Sequence, residues 1–472
     1  MEKKEFKKLK KYGAYITPIS VFKEYILPMI KNDIYNYIWV DLFAGEGNLI
    51  LPILEEIPKS DRIDFFRKHI FLFEIQEELV FKAIENATKY GIPPEIAKQN
   101  ILQRDSIKDY PKFLLKMRLP IFHITNPPYL YIGHIAKNQE LREYLNYFEI
   151  NNKGYQDLYQ LCLMNDLRFG IKKMIYIIPT NFLFGFSISN KIRKEFLNVY
   201  TIRKAIIFEK KIFELTGVNV MICLFERKEA SRDEIITFEG VKIGELTKKR
   251  IYILRPENKY RAGGEFEEFV NTYKSPAPLN VEYYLTLEEI DKKEGNFEVE
   301  LLDVNNLVGS KYKKIKVYVN EEISNKIKSN ILFIRTLDTG TKNGRAGIYV
   351  IKDIFKVDGI LVTKSKHRTH PIQIFIYPQL SVEEQILLKD YFNLMLEYFR
   401  KKTDSEFMTT YKYSNSNYTR KYLGLIQAKK LIQTFPILIL KQNELKYFRN
   451  LIKNKNVKEI IEYIKNVNKR TL

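Results

Sequence analysis

Four consecutive residues, Asn126-Pro127-Pro128-Tyr129, bring together a side-chain amide, a backbone carbonyl and an aromatic ring. They follow an apolar run, Leu119-Pro120-Ile121-Phe122-His123-Ile124, that reads as a buried strand. Two prolines after a strand stop it and hold a rigid turn. Such a turn suits a flat base with an exocyclic amine. The Asn126 oxygen and the Pro127 carbonyl would accept the amine hydrogens, and the Tyr129 ring would stack. A plain proline turn carries the same string, so the residues upstream decide its meaning.

Asp41-Leu42-Phe43-Ala44-Gly45-Glu46-Gly47-Asn48 follows one strand pattern and precedes a helical one. Two glycines one residue apart let the backbone turn tightly and approach a ligand. Ile50 stands where a dinucleotide fingerprint has its third glycine. Glu74 closes the next strand, where a carboxylate can accept both hydroxyl hydrogens of a ribose; Ile75 beside it offers an apolar wall to a purine. Asp105, at a further strand end, could accept from an adenine amino group, and a plain loop acid fits there too. Upstream, Thr17 reads as a helix N-cap and Pro18 as the first helical residue. The Thr17 hydroxyl and that helix terminus could also face an amino-acid carboxylate. His123 reads as a packed strand residue rather than a base.

In this order the pieces resemble an S-adenosylmethionine-dependent DNA adenine-N6 methyltransferase, gamma class, of type II restriction–modification systems. The likeness covers roughly residues 12–226. Tyr155-Gln156-Asp157-Leu158-Tyr159 resembles the helix start after the family's catalytic loop, and Ile177-Ile178-Pro179-Thr180-Asn181-Phe182-Leu183 the next strand and its loop. The resemblance implies catalytic roles for Asn126, Pro127, Tyr129 and Phe213, the last as a second aromatic face on the base. It implies S-adenosyl-L-methionine contacts from Tyr15, Thr17, Asp41, Ala44, Gly45, Gly47, Glu74, Ile75, Asp105 and Asn126. The target adenine would be flipped out of the duplex. The chain departs from the family where Leu42 replaces a proline and Glu46 separates the glycines. RNA adenine methylation and protein glutamine-N5 methylation remain alternatives, since the same string serves both.

Short apolar strands and helical stretches alternate over residues 13–230. Strands read at residues 40–43, 70–74, 121–124, 174–178 and 218–225, and helices at 77–90 and 158–169. This predicts an α/β, Rossmann-like doubly wound domain with ligands at the strand ends. The pattern changes after about residue 240, around Arg261-Ala262-Gly263-Gly264 and Ser275-Pro276-Ala277-Pro278. Residues 1–250 are therefore expected to form the cofactor-binding catalytic domain, and residues 275–472 a mixed α+β target-recognition domain. Ser381-Val382-Glu383-Glu384 has the form of a capping box opening a helix.

With 472 residues, a formal charge of +21 and 45% hydrophobic content, the chain has room for two cores. The charge favours a polyanionic partner, first of all double-stranded DNA, with a separately encoded restriction endonuclease as a possible second. A Lys-rich solvated surface is the plain alternative. Lys364-Ser365-Lys366-His367-Arg368-Thr369-His370 and residues 411–421 are the segments best equipped for phosphates and base edges. Cys162 and Cys223 read as core residues, and five scattered histidines show no metal-ligand spacing. Neither a metal nor a membrane is expected, and the start lacks a signal-peptide core, so the expected location is the cytoplasm.

Overall fold

The computed structural model describes residues 16–210, 218–341, 344–364, 370–412 and 419–471. Two compact units result. The first is Met1–Ala262 together with Thr410–Thr419, and the second is Gly263–Thr409 with Arg420–Leu472.

The first unit is built on a nine-stranded sheet. Its strands are β1 (Ile38–Asp41), β2 (Ile70–Glu74), β3 (Ile101–Gln103), β4 (Ile121–Thr125), β5 (Lys173–Pro179), β6 (Tyr200–Phe208), β7 (Val220–Arg227), β8 (Ile236–Ile243) and β9 (Thr247–Leu254), in the order β3-β2-β1-β4-β5-β7-β6-β8-β9. From β3 to β5 every pairing is parallel, while β7 runs antiparallel to both its neighbours. Every residue of β1, β2 and β4 is buried. That explains why they read as continuous apolar runs rather than alternating ones: helices cover both faces of a parallel sheet. The expected doubly wound α/β architecture is present, and the chain reverses between β1 and β4, since β2 lies on one side of β1 and β4 on the other.

Two of the helices beside the sheet are amphipathic. In α1 (Arg62–His69) Phe65 and Phe66 are buried, and in α2 (Glu77–Lys89) Leu79, Val80, Ala83, Ile84 and Ala87 form the inward stripe. Glu77 and Glu78 occupy the first turn of α2, where acids favour the helix dipole. The helix α3 (Pro94–Asn100) leads into β3, and α4 (Leu158–Arg168) is buried on almost every side.

The second unit is α+β. Glu294–Val308, Lys311–Val319, Gly359–Val362 and Leu285–Thr286 make one four-stranded sheet. Asn280–Tyr283, Ile372–Tyr377, Leu332–Arg335 and Gly347–Val350 make another. The long helix Val382–Lys402 buries Leu388, Tyr391, Phe392, Met395 and Phe399 in the main core of this unit. It begins with the expected capping box: Ser381 Oγ accepts from Glu384 N (3.3 Å) and Glu384 Oε2 from Ser381 N (2.8 Å). No helix among the described residues is long and apolar enough to cross a membrane. Cys162 and Cys223 are both buried.

Candidate active site

A cavity of about 390 Å³ opens at the carboxyl ends of β1, β2, β3 and β4. That is where the chain reversal of a doubly wound sheet leaves a crevice. Gly45 reaches it from the β1 turn, Glu74, Ile75 and Gln76 from β2, Arg104 and Asp105 from β3, and Asn126 and Pro128 from β4. A small side pocket of about 20 Å³ adjoins them, walled by Thr17, Asp41, Ala44, Gly45, Asn48 and Asn126.

The turn after β1 is held by its neighbours. Ala44 N donates to Phe73 O (2.8 Å), and Gly45 N donates to Glu74 Oε2 (2.9 Å). Gly47 has φ +81°, and a Cβ there would lie 2.6 Å from Leu51 Cδ1, so only glycine closes this bend. The other Glu74 oxygen accepts from Gln76 N (3.0 Å). Burial raises the Glu74 carboxyl above its ordinary range, and the amide donors of Gln76 and Gly45 oppose that rise. Each carboxylate oxygen has two lone pairs, so a wall position and two amide bonds are compatible with hydroxyl donors from the cavity side.

Asn126 is buried and its amide is oriented from both ends. Nδ2 donates to Thr17 Oγ1 (3.0 Å), and Oδ1 lies 2.5 Å from the Tyr129 hydroxyl. That hydroxyl is also 2.7 Å from Ile177 O, and its single proton can go to either acceptor. The Thr17 oxygen is thus engaged in the site. Thr17 is not the N-cap expected from sequence: Pro18 occupies the cap of Ile19–Val21, with no side-chain cap bond. The threonine instead ties the strand-end amide, and its carbonyl accepts from Asn48 Nδ2 (3.0 Å).

Asp41 is buried and turned into the fold. Its Oδ1 accepts from Thr125 Oγ1 (2.6 Å) and Phe43 N (2.9 Å), joining β1 to β4. Burial pushes its carboxyl up to about 6. His123, on β4, is fully buried. Its Nε2 accepts from Leu42 N (3.3 Å), and its Nδ1 lies 2.5 Å from Asp166 Oδ2, which places the ring proton on Nδ1. Tyr176 (2.6 Å) and Tyr110 (3.1 Å) donate to the same Asp166 carboxylate. These bonds fix the strand ends from which Gly45 and Asn126 project. At the exit of the proline turn, Asp157 Oδ1 accepts from Leu130 N (2.9 Å).

Asp105 lines the cavity with both oxygens engaged. Oδ1 accepts from Ile107 N (3.2 Å) and Lys108 N (3.3 Å), and Oδ2 accepts from the Tyr147 hydroxyl (2.7 Å). Tyr147, Tyr144 and Glu143 come from the helical segment Gln139–Phe148 and form a wall that sequence reading missed. Their signal was faint: two tyrosines three apart in a stretch with no motif.

Of the expected residues, Gly45, Glu74, Ile75, Asp105 and Asn126 therefore share one cavity, and Thr17, Asp41 and Ala44 adjoin it through the side pocket. Gly47 shapes the bend from behind. Tyr129 is buried at 8% exposure, packed inward edge-on to Tyr159. Neither it nor Pro127 is on the cavity wall, where Pro128 stands. Tyr15 and Phe213 lie outside the described residues, as do residues 365–369 and 413–418 of the two basic segments. No cluster of three or more metal-ligating side chains occurs among the described residues.

A family model described as N-6 DNA Methylase matches residues 2–306. No curated protein matches the chain. Among solved structures, it is similar to a modification subunit of a putative type I restriction enzyme from Vibrio vulnificus, at 17% identity and TM-score 0.35 over 71% of this chain and 58% of that one. A type I restriction–modification methyltransferase subunit from Streptococcus thermophilus shares 17% identity at TM-score 0.35, over 57% of this chain and 54% of that one. A putative class I S-adenosylmethionine-dependent methyltransferase from Listeria monocytogenes shares 14% identity at TM-score 0.32, over 48% and 65% of the two chains. This chain thus spans between about half and two thirds of the length of these proteins.

Proposed function

Because the chain belongs to the N-6 DNA methylase family, we propose that it is a site-specific DNA adenine-N6 methyltransferase using S-adenosyl-L-methionine. The observation that carries this reading is that Asn126, Gly45 and Glu74 line the same cavity. A donor and an acceptor can meet only if their binding elements share a space.

The residues present suit the cofactor. The cavity volume lies within the range of small-ligand sites. Glu74 would take the ribose hydroxyls, Ile75 would lie against the purine, and Asp105, held by Tyr147, would face its amino group. Thr17 would face the amino-acid end, and the glycine turn would let the backbone come close to it. Bound there, the cofactor supplies an electrophilic methyl group on a positively charged sulfur.

The chain's own task is to prepare the adenine nitrogen. That lone pair is delocalised into the ring and attacks poorly. The Asn126 Oδ1 and the Pro127 carbonyl would accept its two hydrogens and draw the nitrogen toward tetrahedral geometry. Thr17 and Tyr129 hold the Asn126 amide in place, which is preorganisation of the acceptor. Stacking on the everted base would fall to Phe213, because the Tyr129 ring is packed inward against Tyr159 and serves to hold Asn126. The motif order supports the gamma class, and protection of DNA from a separately encoded restriction endonuclease is the proposed setting.

Incubation of the purified chain with labelled S-adenosylmethionine and duplex DNA, RNA or protein, followed by nucleoside and amino-acid analysis, tests this. N6-methyladenine from duplex DNA is expected. Label confined to RNA, to cytosine or to glutamine overturns it.

A further inference from the structure

The second unit carries a hairpin whose tip is exposed. Its strands are Lys311–Val319, at the edge of the sheet, and Glu294–Val308, the next one in, and they meet in the two-residue turn Gly309-Ser310. Gly309 has φ +62°, the value a tight hairpin needs at its first central residue. A Cβ at Gly309 would find nothing within 4 Å, so the tip stands in open space.

The register breaks below the tip. Asp303 pairs with Lys313, yet Leu307 pairs with Tyr312, so residues 304–306 bulge out. The bulge is rooted: Asn305 Oδ1 accepts from Thr363 N (3.0 Å) and Lys364 N (3.3 Å), and Asp303 Oδ1 accepts from Thr363 Oγ1 (2.9 Å). Bulges re-aim a strand, and this one fixes the direction of what lies beyond it.

What lies beyond is apolar at the end, and Lys311, Lys313, Lys314 and Lys316 run back from it along the outer strand, the last three opposite Asp303, Leu302 and Glu300. Leu307 is 62% exposed and Val308 67%. Residues 304–317 contain four lysines and no acid. Lys316 is paired with Glu298 (2.8 Å). The Lys311 and Lys313 ammonium groups have no hydrogen-bond or ion-pair partner among the described residues, and the Asp303 carboxylate opposite Lys313 is engaged by Thr363 and Asn306. Lysines on an edge strand serve to prevent pairing with other chains. That accounts for the charge but not for two exposed aliphatic side chains at the tip.

We propose that this hairpin enters the major groove of duplex DNA, with Leu307 and Val308 against base edges and Lys311 and Lys313 on the flanking phosphates. The groove of B-form DNA admits a two-stranded β-ribbon, and thymine offers a methyl group to aliphatic side chains there. Phosphate contacts set position and base contacts set sequence. The inference rests on the DNA substrate of the proposed function and adds the element that reads it.

The test uses the full chain and three proteins: wild type, Lys311→Gln with Lys313→Gln, and Leu307→Ser with Val308→Ser. Affinity for a fluorescent random-sequence 40-base-pair DNA duplex is titrated against salt, and N6-methyladenine formation on genomic DNA is followed in parallel. Removing two phosphate contacts lowers the slope of log K against log salt by about two. The Leu307/Val308 variant keeps the wild-type slope but loses methylation about tenfold, the discrimination expected of a base contact. All four positions are exposed, and unchanged urea midpoints verify folding. Wild-type slope and methylation in both variants overturn the hairpin assignment while leaving the methyltransferase reading intact. A wild-type protein that methylates no DNA overturns both.

Discussion

Asn126 is the residue on which turnover should depend most. Its amide is pinned by Thr17 and Tyr129, and it faces the same cavity as Glu74. Asn126→Ala is expected to lower methyl transfer at least ~10²-fold, the scale of losing one preorganised group in a water-excluded site. Cofactor affinity measured by calorimetry should stay near wild type; equal loss of both would refute the role. Asp41 sets a pH dependence of stability. Burial raises its carboxyl to about 6 from an ordinary 3.8. Between those values the folded state keeps a proton that the unfolded chain has released, so stability falls as pH rises through the window and stays lower above it. The effect is on the order of 2–3 kcal/mol for two pKa units. Asp41→Asn keeps an acceptor for Thr125 and Phe43 without the charge. Its urea midpoint should exceed wild type near pH 7.5 and converge with it near pH 4; a lower midpoint at the higher pH would refute this.

At the scale of elements, the strand ends and the bends after them decide the site. The bend after β1 needs Gly47, where both the positive φ and the 2.6 Å approach to Leu51 exclude a side chain. Gly47→Ala is expected to cost roughly 2–4 kcal/mol, combining left-handed strain with overpacking. Urea unfolding measures it, and a loss under about 0.5 kcal/mol would show that the bend relaxes freely. Strands and helices were largely legible in the sequence because their signals are local. The expected strand at residues 70–74 is β2, and the expected helix at 77–90 ends at Lys89. The strand expected at 40–43 instead spans Ile38–Asp41, because the chain turns at Leu42 to enter the glycine bend. The reading of Thr17 as a cap failed for a related reason: a capping hydroxyl and a buried amide compete for one oxygen, and the amide lies 109 residues away.

Across the whole molecule, the first unit is discontinuous. Thr410–Thr419 belongs to it although the flanking chain does not. Both ends of this strap are bonded to the strand ends of the large sheet. Thr410 Oγ1 lies 2.5 Å from Thr180 Oγ1 and donates to Asn181 Oδ1 (3.0 Å). Thr419 Oγ1 accepts from Asn219 Nδ2 (2.9 Å) and donates to Glu209 O (3.0 Å). Thr410→Val with Thr419→Val leaves buried partners unsatisfied, at about 1–3 kcal/mol for each site. The melting temperature should fall by several degrees; an unchanged value would show that the strap adds nothing to the fold.

Taken alone, the sequence determined the alternation of strands and helices, the proline turn with its asparagine, the glycine bend and the acid that closes β2. Each of these is written in neighbouring residues, through backbone sterics and the period of apolar side chains. Only the tertiary structure decided which of these pieces meet. It set Tyr147 on Asp105, turned the Tyr129 hydroxyl inward onto Ile177, buried Asp41 against Thr125, and returned residues 410–419 to the first unit. Those outcomes depend on packing between segments tens to hundreds of residues apart, and nothing in the local pattern of either segment encodes its partner.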